Sequence, residues 1–186
     1  MIPLLAEGVA QAALPCSWTL ALPALAFGFT HPRWRSLTAL ALAAAAAAWL
    51  RVGGVWAPPL WVAGAALVGG ALLWWRRGPG IPAALGLGAG SGLSWQPCVG
   101  AALGEVLNLA QRDPLAALGG LATFVIAVVA TAAAVGYALG FLRTIRTRVG
   151  DRAAAVPVVV LGMVMVVGWY GAAASVFARW SVAWWG

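Results

Sequence analysis

Long apolar runs punctuated by arginines set the pattern of this sequence. Cutting it at the arginines leaves six stretches, 1–30, 36–50, 52–75, 78–111, 114–142 and 153–178. A helix that crosses a bilayer needs about 20 residues with few charges, and five of the six meet that length. The second is short. It must borrow Trp34 or residues 52–55 at its ends, or cross a thinned region. The pattern therefore predicts an all-α polytopic membrane protein with six transmembrane helices. The alanine run 43–48 fits such a span as small-residue packing material. The start has neither a basic leading segment nor a small-residue cleavage site, so it is expected to be a first span and not a removable signal peptide.

Two spans depart from the rest. The first contains Leu14-Pro15-Cys16-Ser17-Trp18-Thr19-Leu20-Ala21-Leu22-Pro23, and the fourth contains Ser94-Trp95-Gln96-Pro97-Cys98-Val99-Gly100. A proline inside a helix removes a backbone donor and crowds the carbonyl four residues back, so a break is expected at Pro15, Pro23 and Pro97. Gly86, Gly88, Gly90, Gly92, Gly100 and Gly104 are expected to loosen the fourth span further. Division near 78–80 gives halves 1–78 and 79–186 of three spans each, within a single integral membrane domain. An odd number of spans turns the second half upside down relative to the first. Interrupted segments at matching places of two inverted halves point to a site near the membrane midplane.

Composition reinforces this reading. The chain is 63% apolar and 8% charged over 186 residues. About a quarter charged is usual for a soluble domain, and disorder would require low hydrophobicity. The net charge of +7 comes from eleven arginines against four acids. These arginines punctuate the apolar stretches and form no basic face, so no nucleic-acid partner is expected. Arg33, Arg35, Arg76, Arg77, Arg143, Arg146, Arg148 and Arg152 follow the odd-numbered spans, whereas only Arg51, Arg112 and Arg179 lie on the other side. This bias places both termini outside and the odd loops in the cytoplasm. Trp34, Trp49, Trp56, Trp61, Trp74, Trp75, Trp180, Trp184 and Trp185 lie near span ends and read as interfacial anchors. The longest connection, 143–152, is too short to build a soluble core.

The chain has only two cysteines, Cys16 and Cys98, one at each break. Inert buried thiols, a soft-metal site and a reversible disulfide are the chemical candidates. The only histidine, His31, lies in a loop, so a four-ligand zinc set is absent, and neither a metal nor a cofactor is expected. Thiol–disulfide exchange needs two sulfurs that can meet and a partner thiol that can reach them. It fits the inventory best. Thr19, Ser94 and Gln96 are candidate hydrogen-bond sources for an attacking or leaving sulfur. Glu105, seven residues after Cys98, and Glu7, nine before Cys16, could relay protons, although the preferred reading puts both near the surface in water. Asp113 and Asp151 flank arginines in loops and read as solvated.

At these residues the sequence resembles the CcdA/DsbD transmembrane family of thiol–disulfide electron carriers. Ser94-Trp95-Gln96-Pro97-Cys98-Val99-Gly100-Ala101-Ala102-Leu103 resembles that family's Gly-Trp-Thr-Pro-Cys-Ile-Gly-Pro-Val-Leu stretch, and the first span is similar to its proline-rich Pro-Cys segment. Gln96, Ala101, Glu105 and Thr19 depart from the family pattern, and Pro23 falls about one residue late. The resemblance implies a bacterial or archaeal plasma-membrane carrier. Cytoplasmic thioredoxin would reduce a Cys16–Cys98 disulfide, and the resulting dithiol would reduce an extracytoplasmic thioredoxin-like protein, for cytochrome c maturation or another reductive pathway. Thioredoxin's potential of about −270 mV makes that direction downhill. The competing expectation is a small-solute or soft-metal transporter that uses the same midplane site.

Overall fold

The computed structural model describes residues 2–12, 17–30, 32–54, 56–96, 101–142, 153–172 and 175. Among these the regular elements are eight helices, with no strand. They are α1 (Ile2–Gln11), α2 (Trp18–Phe29), α3 (Trp34–Val52), α4 (Leu60–Arg77), α5 (Ile81–Ser94), α6 (Ala101–Arg112), α7 (Pro114–Leu142) and α8 (Val156–Val166). The all-α expectation holds. Two helices, Trp34–Val52 and Leu115–Gly140, are long and apolar enough to cross a membrane.

The second stretch takes both of its borrowed ends. α3 starts at Trp34 and stops at Val52, where Gly53 and then Gly54, at φ 68°, turn the chain. Within the third stretch, 52–75, α4 begins at Leu60, after the Pro58-Pro59 pair. Arg51 donates to the Pro58 carbonyl at 3.4 Å across this turn. α4 ends where Gly78 adopts φ 85° and its N–H reaches the Trp74 carbonyl at 2.7 Å. α7 follows the fifth stretch from end to end. Asp113 is exposed, as expected, and caps α7 by accepting the N–H groups of Leu115 and Ala116, each at 3.1 Å.

The sixth stretch is not one continuous helix, which corrects the expectation for 153–178. α8 covers only Val156–Val166, about 16 Å of helix. Gly168, at φ 81°, closes it by donating to the Met165 carbonyl at 3.1 Å, while Trp169 donates to that of Val164 at 3.0 Å. This pair of bonds satisfies carbonyls that a helix end would otherwise leave bare.

α5 lies between α3 and α4 and touches both with bare backbone. Gly86 and Gly90 face Gly70, Leu67 and Ala63 of α4, whereas Gly88 and Gly92 face α3 from Leu40 to Ala48. Residues two apart lie about 200° apart around a helix, so these are opposite faces of one rod. A Cβ on Gly92 would lie 2.8 Å from the Ala47 Cβ and would clash with the Ala44 carbonyl oxygen. The glycines expected to loosen this span instead let it pack, and α5 is unbroken from Ile81 to Ser94. The alanine run supplies the matching surface, with Ala44, Ala45, Ala47 and Ala48 buried. Successive contacts give direction: α5 runs parallel to α3 and antiparallel to α4, and Gly64 against Met165 with Gly162 against Val68 sets α8 antiparallel to α4.

One core draws on both halves of the chain, including Leu20, Phe27, Leu40, Leu67, Trp95 and Phe124. Trp74 belongs to this core. Its ring meets Phe27 edge-on at 5.5 Å and is 2% exposed, so it is not the surface anchor its place near a span end suggested. Trp34, Trp56, Trp61 and Trp75 are exposed as anticipated, Trp49 is partly buried, and Trp180, Trp184 and Trp185 lie outside the described residues. Mid-helix apolar side chains also face outward, among them Leu42, Leu72, Leu85, Ile126, Leu139 and Val160.

The α5 contacts make a paired prediction. Gly92→Val should lower the thermal midpoint of the purified protein by the equivalent of about 1–3 kcal/mol, because the α3 backbone has no room to retreat. Gly69→Ala, where nothing lies within 4 Å of the added Cβ, should be neutral or stabilising.

Candidate functional site

The two stretches expected to break are each represented by two helices. α1 ends at Gln11 and α2 begins at Trp18; α5 ends at Ser94 and α6 begins at Ala101. Pro15, Cys16, Pro97, Cys98 and Gly100 fall between these pairs, outside the described residues. The flanking backbone shows where regular helix stops. Ala12 is in a turn, and Trp95 is extended at φ −65°, ψ 130°. In sequence, Cys16 stands two places before the first residue of α2 and Cys98 three places before that of α6.

Pro23 behaves differently from the expectation. It is buried inside α2, which runs through it from Trp18 to Phe29 without ending. The proline is the sixth of the helix's twelve residues and removes the one donor that would have reached the Thr19 carbonyl. Local loss of one bond is tolerable there, so Pro23 shapes the helix without breaking it.

Besides Ser36, five polar side chains in the described core are buried, and they divide into two groups. Ser91 bonds the Leu87 carbonyl at 2.6 Å, Ser94 bonds those of Gly90 and Ser91 at 2.8 and 3.0 Å, and Thr30 bonds that of Phe27 at 2.8 Å. Each folds back on its own helix, which satisfies the hydroxyl locally. Ser17 and Thr19 stand at the start of α2 and make no such bond among the described residues. Both are fully buried, and neither hydroxyl has a partner among the described residues. Ser17 occupies the N-cap position of α2, yet its backbone, at φ −93° and ψ 1°, is not that of a capping residue and it makes no capping bond. The indole Nε1 of Trp95 is the third such group. Its ring is 1% exposed and stacks on Phe124 at 5.6 Å.

These three atoms flank the two cysteine positions in sequence, Ser17 and Thr19 after Cys16 and Trp95 before Cys98. A buried polar group without a partner costs about 1–3 kcal/mol, and native interiors rarely keep one without a use. Two hydroxyls and an indole N–H can donate to a sulfur anion, a water or a substrate atom. The remaining expected donors are placed otherwise. Ser94 spends its hydroxyl on its own helix, whereas Gln96 and Glu105 are exposed.

Glu7 is not simply a surface acid. It is half-buried, and its Oε2 accepts the Leu103 backbone N–H at 3.2 Å, joining α1 to the first turn of α6 across 96 residues of sequence. α6 needs such an acceptor, because Pro97-Cys98-Val99-Gly100 offers no capping side chain ahead of it. That lack was visible in the sequence and could have singled out Glu7. Ser17 and Trp95 were also overlooked; their signal was a polar group and an indole in mid-span, away from the span ends.

Thr19→Val keeps the shape of the side chain and removes its unpartnered hydroxyl. It should leave the thermal midpoint unchanged or raise it by the equivalent of about 1 kcal/mol. A fall of that size would show the hydroxyl to be bonded in solution. Comparison of the chain with known protein families, curated proteins and solved structures finds no match.

Proposed function

We propose that this chain is a multi-pass membrane carrier of reducing equivalents that works through reversible disulfide formation between Cys16 and Cys98. The observation that carries the reading is the matched pair of divided stretches. In sequence, α1 with α2, and α5 with α6, bracket one Pro-Cys each, and buried polar groups without a partner among the described residues lie within three positions of each cysteine. In this reading the two halves are inverted repeats. Three features support that arrangement: α1 packs against α6, α2 packs against α5, and the corresponding third helices α4 and α8 run antiparallel. A bilayer is supported by the outward-facing leucines, isoleucine and valines on several helices, with the described arginines near helix ends.

The proposed chemistry moves two electrons and two protons. A thiolate of cytoplasmic thioredoxin attacks one sulfur of the Cys16–Cys98 disulfide, and the other sulfur leaves and is protonated. The second thioredoxin thiol then resolves the mixed disulfide, which leaves thioredoxin oxidised and the cysteine pair reduced. The reverse sequence on the outer face transfers the pair to the disulfide of a thioredoxin-like protein. Both cysteine positions precede a helix start in sequence, where amide N–H groups favour negative charge. The external use of the electrons follows from the family resemblance, with cytochrome c maturation as the leading end use.

Alkylation after controlled oxidation and reduction tests this reading. Oxidised protein should resist a maleimide at both cysteines and regain two reactive thiols on incubation with reduced thioredoxin. Replacement of Cys98 by serine should leave Cys16 reactive under both conditions, or trapped as a mixed disulfide. Two thiols that react independently of each other in every state would overturn the reading.

A further inference from the structure

We infer that the end of the bundle where α3 and α5 begin and α4 stops is a docking surface for anionic phospholipid headgroups, held by Arg33, Arg35, Arg76 and Arg77. The inference rests on the membrane part of the reading above and uses neither cysteine. Along the sequence these arginines are two separate pairs, but helix register brings them to one level. Gly88 faces α3 from Leu40 to Ala44, so seven residues back along the two parallel helices the start of α5, Ile81, lies level with residues 33–37. Gly86 faces Gly70, so five residues back along α5 and five onward along antiparallel α4 set Ile81 level with Trp75. All four arginines are exposed, and none has a carboxylate partner among the described residues.

The opposite end of the same three helices differs in one respect. Trp56 and Trp61 are exposed there, as Trp34 and Trp75 are at the arginine end, so both ends carry indoles suited to headgroup depth. The remaining arginine of these helices, Arg51, is half-buried and donates to the Pro58 carbonyl. Free positive charge therefore separates the two ends, and it selects headgroups of net negative charge, whose phosphates a guanidinium grips through paired N–H bonds. The side chains behind the charge argue for a lipid over a free anion. Leu42 is exposed two turns beyond Arg35 on the same face of α3, and Leu72 one turn before Arg76 on the same face of α4. Each helix thus presents charge first and an apolar side chain about 6–10 Å further in, the order in which a phospholipid presents phosphate and acyl chain. The Arg35 guanidinium stays at this boundary, 5.8 Å from the centre of the exposed Trp34 ring.

The test counts lipid retained by the full chain on release from uncharged detergent, by native mass spectrometry, during titration with phosphatidylglycerol or phosphatidylcholine. Wild type should hold phosphatidylglycerol at least about tenfold more tightly. Replacing any one of the four arginines by glutamine should cost about two- to fivefold of that preference, and replacing all four should bring it below about twofold. The pair Arg51→Gln and Arg112→Gln should leave it unchanged. Should the fourfold variant fail to fold, the single variants carry the comparison. Equal retention of the two lipids by wild type overturns the headgroup surface, and so does a preference that survives all four substitutions. An equal loss in the Arg51 and Arg112 pair overturns it too, because net charge alone would then explain the effect. Displacement of phosphatidylglycerol by millimolar inorganic phosphate would mark a free-anion site and overturn the lipid assignment. Retention of neither lipid would overturn the membrane reading together with this surface. Because no thiol or thioredoxin takes part, none of these outcomes depends on whether Cys16 and Cys98 exchange.

Discussion

Backbone contact between α5 and both of its neighbours is the constraint on which the rest of the structure depends. Glycines at 86 and 90 admit α4, and those at 88 and 92 admit α3, so one short helix presents two bare faces. Close approach adds dispersion contacts along the whole rod, where bulky side chains would hold the helices apart. Ser91 and Ser94 fold back on the same helix and leave no polar edge toward its neighbours. α5 therefore carries Trp95 to a fixed place, stacked on Phe124 at the start of the second break.

Against that well-satisfied helix, the ends of the divided stretches stand out. Ser17, Thr19 and Trp95 each keep a buried polar atom without a partner among the described residues, at a total cost that ordinary packing would not tolerate. The same hydroxyl chemistry is satisfied a few residues into a helix and stranded at its start. The preceding turn of α5 supplies carbonyls for Ser94, whereas Ser17 and Thr19 have no partner among the described residues. In the proposed carrier, that stranded polarity flanks the two cysteines in sequence, and charge must appear and disappear on their sulfurs during exchange. Glu7 adds a complementary device, an acid placed by α1 where α6 lacks a cap of its own.

Much of this was legible in the chain itself. The Pro-Cys pairs marked both divided stretches, the alanine run announced a close helix contact, and the fifth apolar stretch matched α7 from end to end. Other residues misled for identifiable reasons. Glycine lowers helix propensity, but in α5 the gain from close contact outweighs that loss. Pro23 lies where a helix can forgo a single bond, so α2 continues through it. Gly168 ended α8 inside an apolar stretch that hydropathy alone would have carried onward. Trp74 lay near a span end yet turned inward to meet Phe27.

The residue sequence alone determined the all-helical class, the arginine bias and the positions of the two divided stretches. All three follow from local composition and from the missing proline N–H, which need no distant partner. Only the tertiary structure decided that Glu7 reaches Leu103, that the α5 glycines make contacts, and that Ser17, Thr19 and Trp95 are buried without partners among the described residues. Those outcomes depend on which surfaces meet across long stretches of chain, and hydrophobic patterning specifies that a face is covered without naming what covers it.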